Sequence, residues 1–213
     1  MILLTGFEPF GGEATNPSWT AVRGAADVLR AEGLEVAAVE LPCVFGAALT
    51  ALDEALAEHR PALVVCAGQA GGRPGISLER VAINCDDARI PDNAGNAPVD
   101  EPVLPEAPAA YFGTLPIKAA LQELRRRGIT SEVSQTAGTY VCNHVFFGLM
   151  HALRRTPDVR GGFIHVPYGP DQVPPGSGLP SMPLEQMTEA LAAVVRTALA
   201  TTTDLKLAAG AIH

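Results

Sequence analysis

A thiol at a helix start, a histidine at a strand end and an acid in an apolar strand are the residues of this sequence that could do chemistry. Cys142 lies in the stretch Thr136-Ala-Gly-Thr-Tyr-Val-Cys-Asn-His-Val-Phe-Phe147. Gly138 and Thr139 read as a turn, and the apolar run from Val145 to Leu153 has helical spacing. Cys142 therefore falls in the first turn of a predicted helix, where unpaired N–H groups and the helix dipole favour an anion such as a thiolate. A thiolate is a nucleophile suited to covalent acyl transfer. The same placement also suits a small apolar residue that only packs. Cys66 fits that packing role within Leu63–Ala67, and Cys43 and Cys85 lie at element ends without activating neighbours.

His165 ends the strand-like run Gly162-Phe-Ile-His-Val166 and precedes Pro167. Open α/β sheets gather ligands beyond the carboxyl ends of their strands. A histidine there can take a thiol proton and later protonate a leaving amine, although a satisfied structural histidine fits the position equally. His144 is nearer Cys142 in sequence, but residues two apart on a helix do not face each other. His59 and His151 lie on predicted helices without catalytic company. Glu79 shares an alternating face with Val81 and Ile83 in the segment Ser77–Asn84. An isolated carboxylate in an apolar layer is costly and needs a partner. That partner is either an arginine such as Arg73 or Arg89, or a histidine whose tautomer the acid fixes; the period leaves both open.

Two glycine-rich turns follow strands, Thr5-Gly-Phe-Glu-Pro-Phe-Gly-Gly12 and Cys66-Ala-Gly-Gln-Ala-Gly-Gly-Arg73. Neither matches a phosphate loop or a dinucleotide fingerprint. They read as close backbone turns, or as donors and aromatics around a substrate pocket. Asp86, Asp87 and Asp92 lack histidines at ligand spacing, so metal and other cofactors are not expected. The net charge of −8 argues against nucleic acid or anionic membrane as a partner. No run approaches the roughly 20 apolar residues of a membrane span. Met1-Ile-Leu-Leu-Thr5 lacks the features of a signal peptide, so the four cysteines are expected as free thiols.

With 213 residues, 47% hydrophobic and 18% charged, the chain is expected to form one globular domain over 1–213. Strand-like segments are Ile2–Thr5, Leu34–Leu41, Ala62–Ala67, Ser77–Asn84, Ile129–Ser134 and Gly162–Val166. Helix-like segments are Trp19–Arg30, capped at Asn16 or Ser18, then Ala47–Glu58, Pro116–Arg127, Cys142–Arg154 and Pro183–Thr201. The alternation predicts an α/β class: a three-layer α/β/α domain around a mixed, mostly parallel sheet. Ser77–Asn84 follows its neighbour too closely for a helical crossover, which points to an antiparallel member. Cys85–Leu115 reads as a long irregular connection, Gln172–Pro183 as a surface loop, and the end of the chain as a loose tail.

Taken together, these stretches resemble the pyroglutamyl-peptidase I (pyrrolidone-carboxylate peptidase) family. The matching segments are Thr5–Gly12, Asn16–Trp19, Gly68–Arg73, Glu79–Asn84, Asp87–Asn93, Thr136–His144 and Gly161–Tyr168, colinear over nearly the whole chain. The resemblance implies a cytoplasmic cysteine peptidase with a catalytic triad of Cys142, His165 and Glu79, no metal, and often a homotetramer. Its substrates would be peptides with an N-terminal pyroglutamate, cleaved through a thioester. It also implies that Phe10 and Tyr140 flank the lactam ring, with Phe7 close by and Gln69 beneath, and that Arg89 lies near the oxyanion or against Asn16. A buried tyrosine hydroxyl at position 140 would need a partner. Another thiol-dependent amidase on a similar fold, or a non-catalytic small-molecule-binding module, are the alternatives from the residues alone.

Overall fold

The computed structural model describes residues 1–210. In chain order the elements are β1 (Ile2–Phe7), α1 (Pro17–Ala31), β2 (Val36–Leu41), α2 (Ala47–His59), β3 (Leu63–Gln69), β4 (Ile76–Glu79), β5 (Val81–Ile83), β6 (Ala110–Phe112), α3 (Ile117–Arg126), β7 (Ser131–Ser134), α4 (Val141–Leu153), β8 (Arg160–Val166), a 3-10 turn (Pro170–Gln172) and α5 (Leu184–Ala200). Six strands form one sheet in the order β2-β1-β3-β8-β4-β7. All neighbours are parallel except β8 and β4, which run antiparallel. The mixed, mostly parallel sheet read from the sequence is therefore present.

Both faces of the sheet are covered, and alternation along each strand divides the core in two. Ile2, Leu4, Leu63, Val65, Ala67, Ile76, Leu78 and Ile164 pack with the layer of α1, α3 and α5. Leu3, Phe7, Val64, Cys66 and Phe163 pack with α2 and α4. A period of two with both faces apolar explains the near-continuous hydrophobic runs of the central strands. Each fully buried Leu or Phe contributes roughly 1.5–3 kcal/mol.

Local chemistry sets the ends. Asn16 is the cap of α1: its Oδ1 accepts from the N–H of Ser18 at 3.1 Å and from the Ser18 hydroxyl at 2.8 Å. Pro17 follows at the first helical position, where its missing donor costs nothing. Pro116 cannot cap α3, and Asp204 does so from the far end of the chain, accepting from the N–H groups of Lys118 at 3.0 Å and Ala119 at 2.9 Å. The tail expected to be loose is thus docked at Asp204; its last three residues, 211–213, lie outside the described ones.

Two expectations need correcting. Ser77–Asn84 is not one strand: it breaks at Arg80 into β4, in the main sheet, and β5, which pairs antiparallel with β6 in a separate two-stranded sheet. Glu79 therefore does not share a strand face with Val81 and Ile83. Cys85–Leu115 is irregular but not slack, and it contains β6. Asp86 and Glu101 exchange backbone hydrogen bonds, and the Asn84 side chain donates to Leu104 O and accepts from its N–H, each at 2.9 Å. Side-chain caps of this kind carry no period and so escape pattern reading.

Candidate active site

Register builds the site. His165 on β8 is paired with Gly68 on the β3 side and with Ser77 on the β4 side. Directly paired residues point to one face of a sheet, and here that face looks toward α4. Glu79, two residues beyond Ser77, lies diagonally across on the same face. Its Oε1 meets His165 Nδ1 at 2.7 Å, and both side chains are buried. With Nδ1–H donating to the carboxylate, Nε2 is left as the acceptor turned to the remaining neighbours.

On the other side, Gly68 leaves room for the thiol. A Cβ placed at Gly68 would stand 2.6 Å from Cys142 Sγ. The sulfur thus lies over Gly68, the residue paired with His165, in space that a side chain there would fill. Cys142 and His165 line one cavity of about 450 Å³ together with Phe7, Phe10, Asn16, Cys43, Gln69, Ala70, Gly71, Arg73, Arg89, Ala137, Gly138 and Tyr140. Every site residue expected from the sequence except Glu79 lines this cavity, and Glu79 sits behind His165.

The first turn of α4 carries the thiol with its backbone donors free of a side-chain cap. Tyr140 is the N-cap, and it makes no capping hydrogen bond. Its hydroxyl donates instead to Pro91 O at 3.1 Å, which supplies the partner a tyrosine there needs. The next two residues anchor the turn. Asn143, buried, accepts from Ile83 N–H at 3.0 Å and donates to Ile83 O at 2.9 Å and Cys85 O at 3.0 Å. His144 meets Asp86 through Nδ1 at 2.7 Å and accepts from the N–H of Gly46 at Nε2, 3.0 Å. His144 is thus a structural clamp, turned away from the thiol as helical spacing requires.

Burial disfavours charge on both the thiol and the imidazole. Burial lowers the basicity of His165, with Glu79 opposing and Arg73 adding to the effect. Burial pushes the Cys142 thiol well above its ordinary range, reinforced by Cys43 and Glu79 and opposed by Arg73. Desolvation thus opposes the stabilisation that a helix start gives a thiolate. Cys43, at the cavity wall, is pushed up to about 12 by burial first and Glu8 second. All four cysteines are free.

Glu79 has both partners that the sequence left open. Arg73 Nη1 donates to the same Oε1 that meets His165, at 2.6 Å, while Nη2 donates to Thr136 O at 3.0 Å. Arg89 is exposed, lines the cavity, and has no hydrogen-bond contact with Asn16; Asn16 instead donates to Glu8 O at 2.9 Å besides capping α1. Gln69 is held by Gln172, whose Nε2 donates to Gln69 Oε1 at 3.0 Å. The segment Gln172–Pro183, which read as a plain surface loop, thus begins at the site. Cys43 was missed as a wall residue because a lone cysteine at a strand end has no pattern. Asp92, a metal candidate by type alone, spends its carboxylate on Phe45, Ala94 and Asn96 N–H groups. Among the described residues no three His, Cys, Asp or Glu are grouped to hold a metal ion.

Comparison with known proteins places the chain in a family. The family model described as pyroglutamyl peptidase matches residues 1–201. A pyrrolidone-carboxylate peptidase of Yersinia pestis (strain Pestoides F) is 54% identical over 213 residues, covering 100% of this chain and 99% of the relative. The crystal structure of pyroglutamyl peptidase I from Bacillus amyloliquefaciens superposes with a TM-score of 0.91 at 47% identity, over 97% of this chain and 98% of that one. A pyrrolidone carboxyl peptidase structure from Pyrococcus furiosus gives a TM-score of 0.84 at 42% identity, over 93% and 98% of the two chains. The chain belongs to the pyroglutamyl peptidase family.

Proposed function

We propose that this cysteine peptidase removes N-terminal pyroglutamate from peptides, with Cys142 as nucleophile, His165 as general base and acid, and Glu79 as the residue that orients His165. The observation that carries the reading is the 2.7 Å Glu79–His165 pair on the sheet face where Cys142 Sγ covers Gly68. The substrate carbonyl settles against the N–H groups of the α4 first turn, which lack a side-chain cap. As the sulfur attacks, its proton passes to His165 Nε2, so charge develops only in the transition state. The helix-start donors stabilise the oxyanion as it forms. His165 returns the proton to the departing amine, and water, deprotonated by the same imidazole, hydrolyses the thioester.

The lactam ring suits an apolar wall with few polar groups, because it carries no charged amine for a carboxylate to grip. Phe7, Phe10 and Tyr140 provide that wall, and Gln69 provides the polar group. Phe10 and Tyr140 have centroids 6.1 Å apart and planes tilted by 40°. A ring stacked between two parallel faces needs two contact distances, about 7 Å. The substrate ring therefore enters the open side of a V and spreads it slightly. Arg89 serves the oxyanion or the leaving peptide, and Asn16 supports the wall through Glu8.

The reading extends to residues 1–213 acting as one domain in the cytoplasm, where free thiols persist. It also extends to a homotetramer; Phe112 on β6, 67% exposed, offers apolar contact area for assembly. No helix among the described residues is long and apolar enough to cross a membrane. The deciding experiment is hydrolysis of a pyroglutamyl-linked chromogenic amide beside its alanyl and prolyl analogues. Selective turnover is expected, and equal rates would reject lactam recognition in favour of a general thiol amidase.

A further inference from the structure

We propose that Arg73 is a positioning residue of the active site: its guanidinium bridges Glu79 and the carbonyl of Thr136, and so registers the acid–histidine pair against the segment that delivers Cys142. The inference deepens the triad reading and rests on it. Two observations carry it. Arg73 Nη1 donates to Glu79 Oε1 at 2.6 Å, the very oxygen that His165 uses. Arg73 Nη2 donates at 3.0 Å to Thr136 O, six residues before the nucleophile. A planar guanidinium can satisfy two acceptors in fixed geometry where an ammonium cannot.

Sharing one carboxylate oxygen has a second effect. The charged groups that act on His165 are Glu79 from β4 and Arg73 from the β3–β4 connection, while Cys142 from α4, Cys43, Tyr140 and Arg89 line the same cavity. Arg73 is the cation that reaches His165 through its hydrogen bond to Glu79. It draws on the carboxylate that would otherwise favour imidazolium, and it repels the proton directly. The cation so placed opposes an added proton on His165. His165 then stays available as a base at mildly acidic pH. Arg73 is a quarter exposed at its side chain, lines the cavity, and meets a buried acid through Nη1.

The test is kcat and KM against pH on a pyroglutamyl amide for wild type, Arg73→Met and Arg73→Lys, with Cys142→Ser as the control. An active wild type with an inactive Cys142→Ser upholds the underlying reading independently of Arg73. Arg73→Met is expected to move the acid limb of kcat/KM up by about one pH unit, the size of a neighbouring-charge effect. Arg73→Lys is expected to leave the limb in place while kcat falls about tenfold at unchanged KM, because charge is kept and the bridge is lost. A folded Arg73→Met with an unmoved limb overturns the proposal. Should that variant not fold, Arg73→Lys decides: wild-type kcat, or a raised KM with kcat kept, overturns it as well.

Discussion

At the scale of single residues, Glu79 and His165 are paired at 2.7 Å in a buried setting that disfavours charge on His165 and Cys142. Cys142→Ser and His165→Ala are each expected to lower kcat by about 10³-fold or more while the fold is retained, since members of one catalytic unit fail together. Glu79→Gln keeps the volume but removes the charge that stabilises the imidazolium and can turn an amide N–H toward His165 Nδ1, which selects the wrong tautomer, and a loss of about 10²–10⁴-fold is expected; circular dichroism and turnover check all three. The pH dependence has a definite sign. His165 is held below its ordinary value of about 6.5, so the base stays unprotonated as pH falls through 6.5, and the acid limb of kcat/KM is expected below that point. The thiol is raised, so alkylation of Cys142 in the free enzyme should keep climbing with pH through about 8.5 without a plateau. Cys142 and His165, which the structure brings to one cavity, were legible as a cysteine at a helix start and a histidine near a strand end; Glu79 was singled out by an alternation that in fact breaks at Arg80. The effect of burial on the thiol and imidazole was not legible, because burial has no local signature.

At the scale of elements, β8 is the member that gathers the rest. Its parallel partner supplies Gly68 and its antiparallel partner supplies Ser77 and, diagonally, Glu79. Gly68→Ala should therefore act on chemistry more than on fold. The new methyl group would meet Cys142 Sγ at 2.6 Å and the Phe163 ring at 2.9 Å. An activity loss of at least about 100-fold is expected with a stability cost of about 1–3 kcal/mol, read by turnover and by denaturant titration. Alternation and helical spacing revealed ten of these strands and helices to within a few residues, because both sheet faces and the helix seams are apolar. The same signal missed the break at Arg80: Val81 and Ile83 continue the period of Ser77 and Glu79 although the chain has changed sheets. It also missed β6, three residues whose pairing with β5 is specified by contacts across 85–109 rather than by their own composition.

At the scale of the molecule, the ends of the chain are knitted into its middle. Asp204 caps α3, whose own N-cap is a proline. Asp204→Ala is expected to lower stability by about 0.5–2 kcal/mol without changing kcat, measured by thermal or chemical unfolding beside activity. Nothing in the sequence near Pro116 announces that distant cap. The opposite arrangement at Tyr140 has a wider meaning for engineering. Adding a serine or aspartate to the front of a bare helix is a standard way to toughen a protein. At this helix the improvement would fill the vacancy that a reacting carbonyl needs, so a hardier variant made by that route would be a silent one.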